Sequence, residues 1–401
     1  MIDVKKIRED FPIFKNEPNL VYFDNACMAL RPRQVIEAMN EYYEKYPACA
    51  GRSGHRLGET VTKKVDEARQ TVADFIGAKK EEIIFTKNAT EAINLVAQSL
   101  NFEKGDIVLG GNKEHNSNLL PWLFLERQKE IIYKVLPEDY ELAVPEGVLF
   151  NIEKYHPKLV SMGLTSNLDG MTINAKKIIE VAHKNGSMVL LDAAQAVPHQ
   201  KINVKELDVD FLVFSGHKML GPSGTGVLYG KKKLLERLAP FMLGGGTVSS
   251  SSYDSFQLLP IPDRFEAGLQ NYAGIIGLGE AVKYLEGIGF NYIKREEDKL
   301  NTIIIQGLYD IFPKEALLGY NNPIVKHNGI VTFYTKKMPS HQIMLLLDKA
   351  GIAVRSGQFC VHSWFNANKI KDAVRASVYF YNTEEEAERF VEEMKKIAKA
   401  F

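Results

Sequence analysis

The stretch Asp208-Val-Asp-Phe-Leu-Val-Phe-Ser-Gly-His-Lys218 decides how the rest of the chain is understood. Phe211 to Phe214 is a short apolar run, which suits a strand covered on both faces of a parallel sheet. It breaks off at Ser215-Gly216-His217-Lys218, and Gly221-Pro-Ser-Gly-Thr-Gly226 follows. Polar groups at the carboxyl ends of such strands meet in a cleft. A lysine held there loses hydration, its pKa falls, and its amine can form a Schiff base.

Composition narrows the alternatives. A chain of 401 residues can bury a large core in one or two domains. Its 50 acidic and 50 basic residues cancel, which argues against nucleic acid or a membrane surface as partner. No apolar run approaches the ~20 residues that span a bilayer. The opening Met1-Ile-Asp-Val-Lys-Lys-Ile-Arg-Glu-Asp is charged and lacks a signal-peptide core. Three scattered cysteines, Cys27, Cys49 and Cys360, make no disulfide framework and have no metal-ligand spacing. A cytoplasmic, reduced protein is expected.

Working outward from Lys218, a second apolar run, Ser187-Met-Val-Leu-Leu-Asp192-Ala-Ala-Gln195, ends in a carboxylate. A strand-end amine near a strand-end acid is what a pyridoxal phosphate enzyme requires. Lys218 would hold the aldehyde, and Asp192 would keep the pyridine nitrogen protonated. Upstream, a strand at Glu82 to Phe85 turns through Lys87-Asn88-Ala89-Thr90-Glu91 into a helix over Ala92 to Leu100. Such a turn aims free N–H groups at an anion, so the phosphate is assigned to the Ala89 and Thr90 amides and the Thr90 hydroxyl. A strand at Ile107 to Leu109 leads to Glu114-His115-Asn116-Ser-Asn118, and another at Leu159 to Leu164 leads to Asn167. Gly221 to Gly226 precedes a strand and lacks a following Lys-Ser/Thr, so it is no nucleotide-binding loop. Gly244 to Gly246 and the serine run Ser249 to Ser252 suggest a mobile loop. From about Tyr284, helices alternate with short strands near Ile330, Ile352 and Val374. The expected fold is α/β: a large αβα domain with a mostly parallel sheet (18–283) and a small α+β domain (1–17 and 284–401).

Ser215-Gly-His-Lys218, the Asp192-Ala-Ala-Gln195 turn and Arg264-Phe-Glu-Ala-Gly268 together resemble the class V aminotransferase-fold enzymes, of fold type I. Arg355-Ser-Gly-Gln-Phe-Cys360 and Arg375-Ala-Ser377, with Tyr381-Asn-Thr383, are similar to the cysteine desulfurases of the SufS-like group along nearly the whole chain. The resemblance implies that His115 stacks on the pyridine ring, that Asn167 and Gln195 surround its 3-oxygen, and that Ser215 and His217 join Lys218 around the cofactor. It makes Cys360 the residue that takes sulfur from L-cysteine. A thiolate is soft and nucleophilic enough for that attack near neutral pH. Arg375 would grip the substrate carboxylate with a bidentate fork, with Arg355 near the thiolate and Arg52 and Asn167 near the substrate. A homodimer, and a sulfur-acceptor or iron–sulfur scaffold protein as partner, also follow from the resemblance. A selenocysteine lyase or another enzyme of the same fold, and a non-catalytic sulfur-binding scaffold, are the alternatives.

The chain departs from the family at several points. Gln358 and Phe359 replace paired histidines, Val361-His362-Ser363 replaces Ala-x-Pro, and Cys27-Met28 replaces a residue pair without cysteine. Cys27 and Cys49 are expected to be small buried or half-buried residues without chemistry. Leu269 stands where relatives carry a threonine whose hydroxyl reaches the other protomer's phosphate. Leu269→Thr should therefore bind the cofactor as well as the parent or better, by at most about 1.5–3 kcal/mol for one hydrogen bond to a charged group. A titration showing clearly weaker binding would overturn the assignment of this loop.

Overall fold

The apolar runs become strands because each must cover both of its faces. The computed structural model describes residues 3–136, 146–320 and 327–399. In chain order the strands are β1 (Val21–Tyr22), β2 (Ile83–Thr86), β3 (Ile107–Gly110), β4 (Ile132–Val135) and β5 (Leu159–Gly163). β6 (Met188–Asp192), β7 (Phe211–Ser215), β8 (Gly226–Gly230), β9 (Val248–Ser251) and β10 (Phe256–Leu258) follow. The last are β11 (Ile330–Phe333), β12 (Ile352–Ala353), β13 (Arg355–Gly357) and β14 (Ala373–Ser377).

Seven of them form one sheet in the order β2-β8-β7-β6-β5-β3-β4. The neighbours from β4 through to β7 are parallel, and β8 runs antiparallel to both β7 and β2. β2 therefore points the same way as β7, and six strands deliver their carboxyl ends to one edge. Alternation within β7 shows why both faces are apolar. Leu212 and Phe214 pack with the helices Arg56–Ile76, Ala175–Lys184 and Tyr272–Ile288, whereas Phe211 and Val213 pack with the helix Ala89–Ser99.

A second, three-stranded antiparallel sheet has the order β11-β14-β13, and β1 runs parallel to β12. Phe23, Leu300, Phe333, Val374 and Phe390 form its core. Ile7, Phe11 and Phe14 instead join the larger cluster, where Phe11 meets Tyr284, Phe380 and Tyr381 edge-on or tilted. The serine run departs from expectation. Ser249 to Ser251 belong to a hairpin in which β9 pairs antiparallel with β10. Serines carry no hydrophobic period, so only the partner strand reveals the pairing. Among the described residues, no helix is long and apolar enough to cross a membrane.

One buried ion pair ties the long helix Arg56–Ile76 to the sheet. Arg69 Nη1 and Nη2 donate to Glu266 Oε1 and Oε2 at 2.7 and 2.8 Å, and Phe85 N donates to the same carboxylate at 2.7 Å. Both residues are buried, at 7% and 9% exposure. Arg69→Met leaves that carboxylate without its cation and should lower the unfolding free energy by about 3–5 kcal/mol. The measurement is a urea midpoint at unchanged slope. Adding Glu266→Gln, which keeps an acceptor for Phe85 N–H, should recover part of the loss, and an unmoved midpoint in Arg69→Met would refute the account.

Candidate active site

The carboxyl ends of β2, β6 and β7 open on one cavity of about 510 Å³, which is lined by Lys218, Asp192, His115, Cys360 and Arg375 among others. Lys218 arrives on a single turn of 3-10 helix, Gly216–Lys218, directly after β7. That turn closes tightly on β8: Gly216 N donates to Thr225 O at 2.8 Å, and a Cβ on Gly216 would lie 2.1 Å from Thr225 Oγ1. Only glycine fits there. Asp192 ends β6, beside β7 in register with Val213, and its Oδ1 accepts from Ala194 N at 3.0 Å. Burial pushes the Lys218 ammonium below its usual pKa, against the pull of Asp192. Burial also raises the Asp192 carboxyl, against the pull of Lys218. The two stabilise each other's charged form, while the apolar surroundings favour neutrality.

The anion cradle differs in detail from expectation. The helix starts at Ala89, three residues earlier than expected, because Asn88 Oδ1 accepts from Glu91 N at 3.0 Å and caps it. Ala89, expected at the phosphate, lines the cavity, but its N donates to Ser215 Oγ at 2.9 Å. Among the described residues, Thr90 N has no partner. The Thr90 hydroxyl pairs with Ser117 Oγ at 2.6 Å. Ser215 keeps its own hydroxyl hydrogen to donate, and both Ser215 and His217 line the cavity. Burial, then Lys218, lowers His217 to about 4.

His115 caps the helix Asn116–Lys129 through Nδ1, which accepts from Ser117 N at 3.1 Å. Burial, then Lys218, brings its pKa down to about 3, so the imidazole is neutral and suited to lie on an electron-poor ring. Asn167 lines the cavity, but its Nδ2 donates to Phe359 O at 2.8 Å. Gln195 borders a small adjoining recess shared with Asp192 and Lys218, and its Nε2 donates to Ala26 O at 2.6 Å.

The second sheet supplies the other wall. Arg375, on β14, is 3% exposed; its Nη1 donates to Asn167 O at 2.8 Å and its Nε has no partner. A buried guanidinium N–H left open is suited to a carboxylate. Arg375 Nη2 also lies 3.7 Å from Asp24 Oδ1. Arg355, expected beside Cys360, donates instead to Cys27 Sγ and pairs with Asp24 at 3.5 Å. Cys360 is exposed on the turn that follows β13, with φ +59°, after Phe359 at +49°. That left-handed pair is pinned by Asn116 N donating to Cys360 O at 2.7 Å and by Asn167 on Phe359 O.

Arg52 does not join this cavity. It lines a second one, of about 890 Å³, with Cys49, Gly245, Gly246, Leu269 and Tyr272. Sequence reasoning missed Asp24, Ser117 and His362. Asp24 carried a visible signal, the Asp24-Asn25-Ala26 turn. His362 meets Asn116 Nδ2 at 2.9 Å, two residues beyond Cys360. An open helix-end N–H, hydroxyls, a deprotonation-prone amine and a buried carboxylate are what a phosphate, an aldehyde and a pyridine nitrogen need. The residues present fit pyridoxal phosphate.

Comparison with known proteins agrees with this site. The model of the aminotransferase class-V family matches residues 21–390. A probable cysteine desulfurase of Pyrococcus abyssi is 38% identical, covering 98% of this chain and 97% of its own. One from Staphylococcus aureus is 36% identical, covering 100% and 98%. The apo structure of a cysteine desulfurase from Thermococcus onnurineus superposes with a TM-score of 0.93 at 38% identity, over 100% of this chain and 99% of that one. A fold, a cavity and a full-length likeness that coincide put the chain in the aminotransferase class-V family, among its cysteine desulfurases.

Proposed function

We propose that the chain converts L-cysteine to L-alanine with pyridoxal phosphate and keeps the sulfur as a persulfide on Cys360. The observation that carries this reading is an exposed thiol lining the same cavity as the part-buried Lys218 and the buried Asp192 and Arg375. When bound, pyridoxal phosphate supplies a ring that accepts the negative charge developing at the substrate's α-carbon. Thr90 N–H and the hydroxyls of Thr90 and Ser215 would hold the phosphate, Asp192 would keep a proton on the ring nitrogen, and neutral His115 would cover the ring.

Lys218 Nζ would hold the aldehyde and, once released, would take the substrate's α-proton, for which its depressed pKa prepares it. Arg375 orients the substrate through its α-carboxylate, using the Nε that has no protein partner. The Cys360 thiolate attacks the substrate sulfur. The Cys360 S–S bond forms as the substrate C–S bond breaks, and the carbon skeleton takes one proton at Cβ and regains at Cα the one that Lys218 removed, becoming alanine. Exposure at the turn leaves the persulfide open to a sulfur-acceptor protein, for iron–sulfur cluster or thio-cofactor synthesis.

A homodimer is part of the proposal. Leu269 is 73% exposed and borders the second cavity with Arg52, and Phe241, Met242 and Leu243 beside its glycine loop are also exposed. A second copy would cover this apolar rim and bring Arg52 to the substrate of the facing site. A cytoplasmic location accords with three free cysteines.

Two measurements test the assignments. Borohydride reduction of the purified holoenzyme, followed by peptide mass spectrometry, should find the pyridoxyl adduct on Lys218, and an adduct on another lysine would reject the role. Cys360→Ser should lower alanine formation from L-cysteine on the order of 10³-fold or more, as for loss of a covalent nucleophile. Its cofactor absorbance should still respond to L-cysteine, and Cys49→Ser should keep most of its turnover. An active Cys360→Ser enzyme would defeat the reading.

A further inference from the structure

Cys27 is one of the two thiols that this reaction scheme leaves unused, and it lies inside the cavity. It lines the same space as Cys360 and Lys218, whereas Cys49 lines the other cavity. Its position is set from both sides. Cys27 N donates to Asp24 O at 3.1 Å, Ala26 N donates to Ser377 Oγ at 2.9 Å, and Ala29 N donates to His217 O at 3.0 Å. The turn is thus strung between the end of β14 and the turn that carries Lys218. Its sulfur is half-buried and accepts a hydrogen bond from Arg355 Nη2. Arg355 is steadied by Asp24, 3.5 Å from its Nε. A guanidinium beside this sulfur would pair with the negative charge of a persulfide formed there. Buried Arg375 on the same wall keeps one N–H unpartnered, so the wall is cationic beyond its own internal pairing.

Resting on the desulfurase reading, we propose that Cys27 is a second sulfur carrier, taking the terminal sulfur of the Cys360 persulfide and holding it against Arg355. The Cys27 sulfur attacks the outer sulfur of Cys360–S–S⁻. A Cys27–S bond forms, the S–S bond to Cys360 breaks, and the proton given up by the Cys27 thiol goes to the departing Cys360 sulfur. Sulfane sulfur moves without net oxidation or reduction, so no further reactant is needed. Cys360 is then free for another substrate, while the first sulfur waits in a less exposed place.

The test is a rapid-quench reaction of the holoenzyme with L-cysteine and no acceptor, with alkylation of persulfides and peptide mapping. The wild-type chain should release about two alanines in the burst and carry sulfane sulfur on both Cys27 and Cys360. Cys27→Ser and Cys27→Ala should release about one and carry it on Cys360 alone. Cys360→Ser should load neither position. A wild-type map with sulfur on Cys360 only, or an equal burst in the Cys27 variants, overturns the proposal. Loading of Cys27 in Cys360→Ser overturns the relay and the role of Cys360 together. Failure of the wild type to form any alanine rejects the desulfurase reading itself.

Discussion

An amine and a carboxylate, set at the ends of adjacent parallel strands and taken largely out of water, are the constraint from which the site follows. Asp192 and Lys218 leave β6 and β7 at the same edge of the sheet, and burial moves their pKa values toward each other. Such a pair is costly to bury and holds only where the strands around it are rigid and apolar. β7 and β8, buried at every position, provide that rigidity. Because six strands end at one edge, the turn of Asn88, Ala89 and Thr90, the His115 imidazole and the Asn167 loop are all delivered to the same space.

The opposite wall comes from the second sheet and has a different electrostatic character. Arg375 and Arg355 face Asp24, whose carboxyl is raised by burial against the pull of both. Two cations to one carboxylate leave the wall positive, which suits a substrate carboxylate and sulfur anions alike. The Cys360 turn reaches this wall in a left-handed conformation that side chains adopt only when neighbours hold it. Asn116 and Asn167, from the large sheet's loops, do the holding. The thiol's position thus depends on both sheets being in contact, although the thiol itself is open to solvent.

Much of the fold was legible because burial on both faces leaves an apolar run that ends abruptly. Phe211 to Phe214 and Met188 to Leu191 carried that signature, and the polar residue after each run marked the site edge. The β9–β10 hairpin left no such trace, since its exposed serines have no burial to record. Motif likeness located Cys360 and Arg375, but not what their neighbours do.

Sequence alone determined the fold class, the cofactor, and the strand-end lysine, acid and motif cysteine that meet in one cavity, all of which depend on local pattern and residue chemistry. Tertiary structure decided which donors remain free. Ala89 N is satisfied by Ser215, 126 positions away, and Thr90 N is left open. Arg355 turns to Cys27, 328 positions away, and not to the thiol five residues along its own strand-turn. Arg52 lies in another cavity altogether. A hydrogen-bond donor can be spent only once, and the partner that spends it is chosen by contacts between distant segments, on which local sequence pattern is silent.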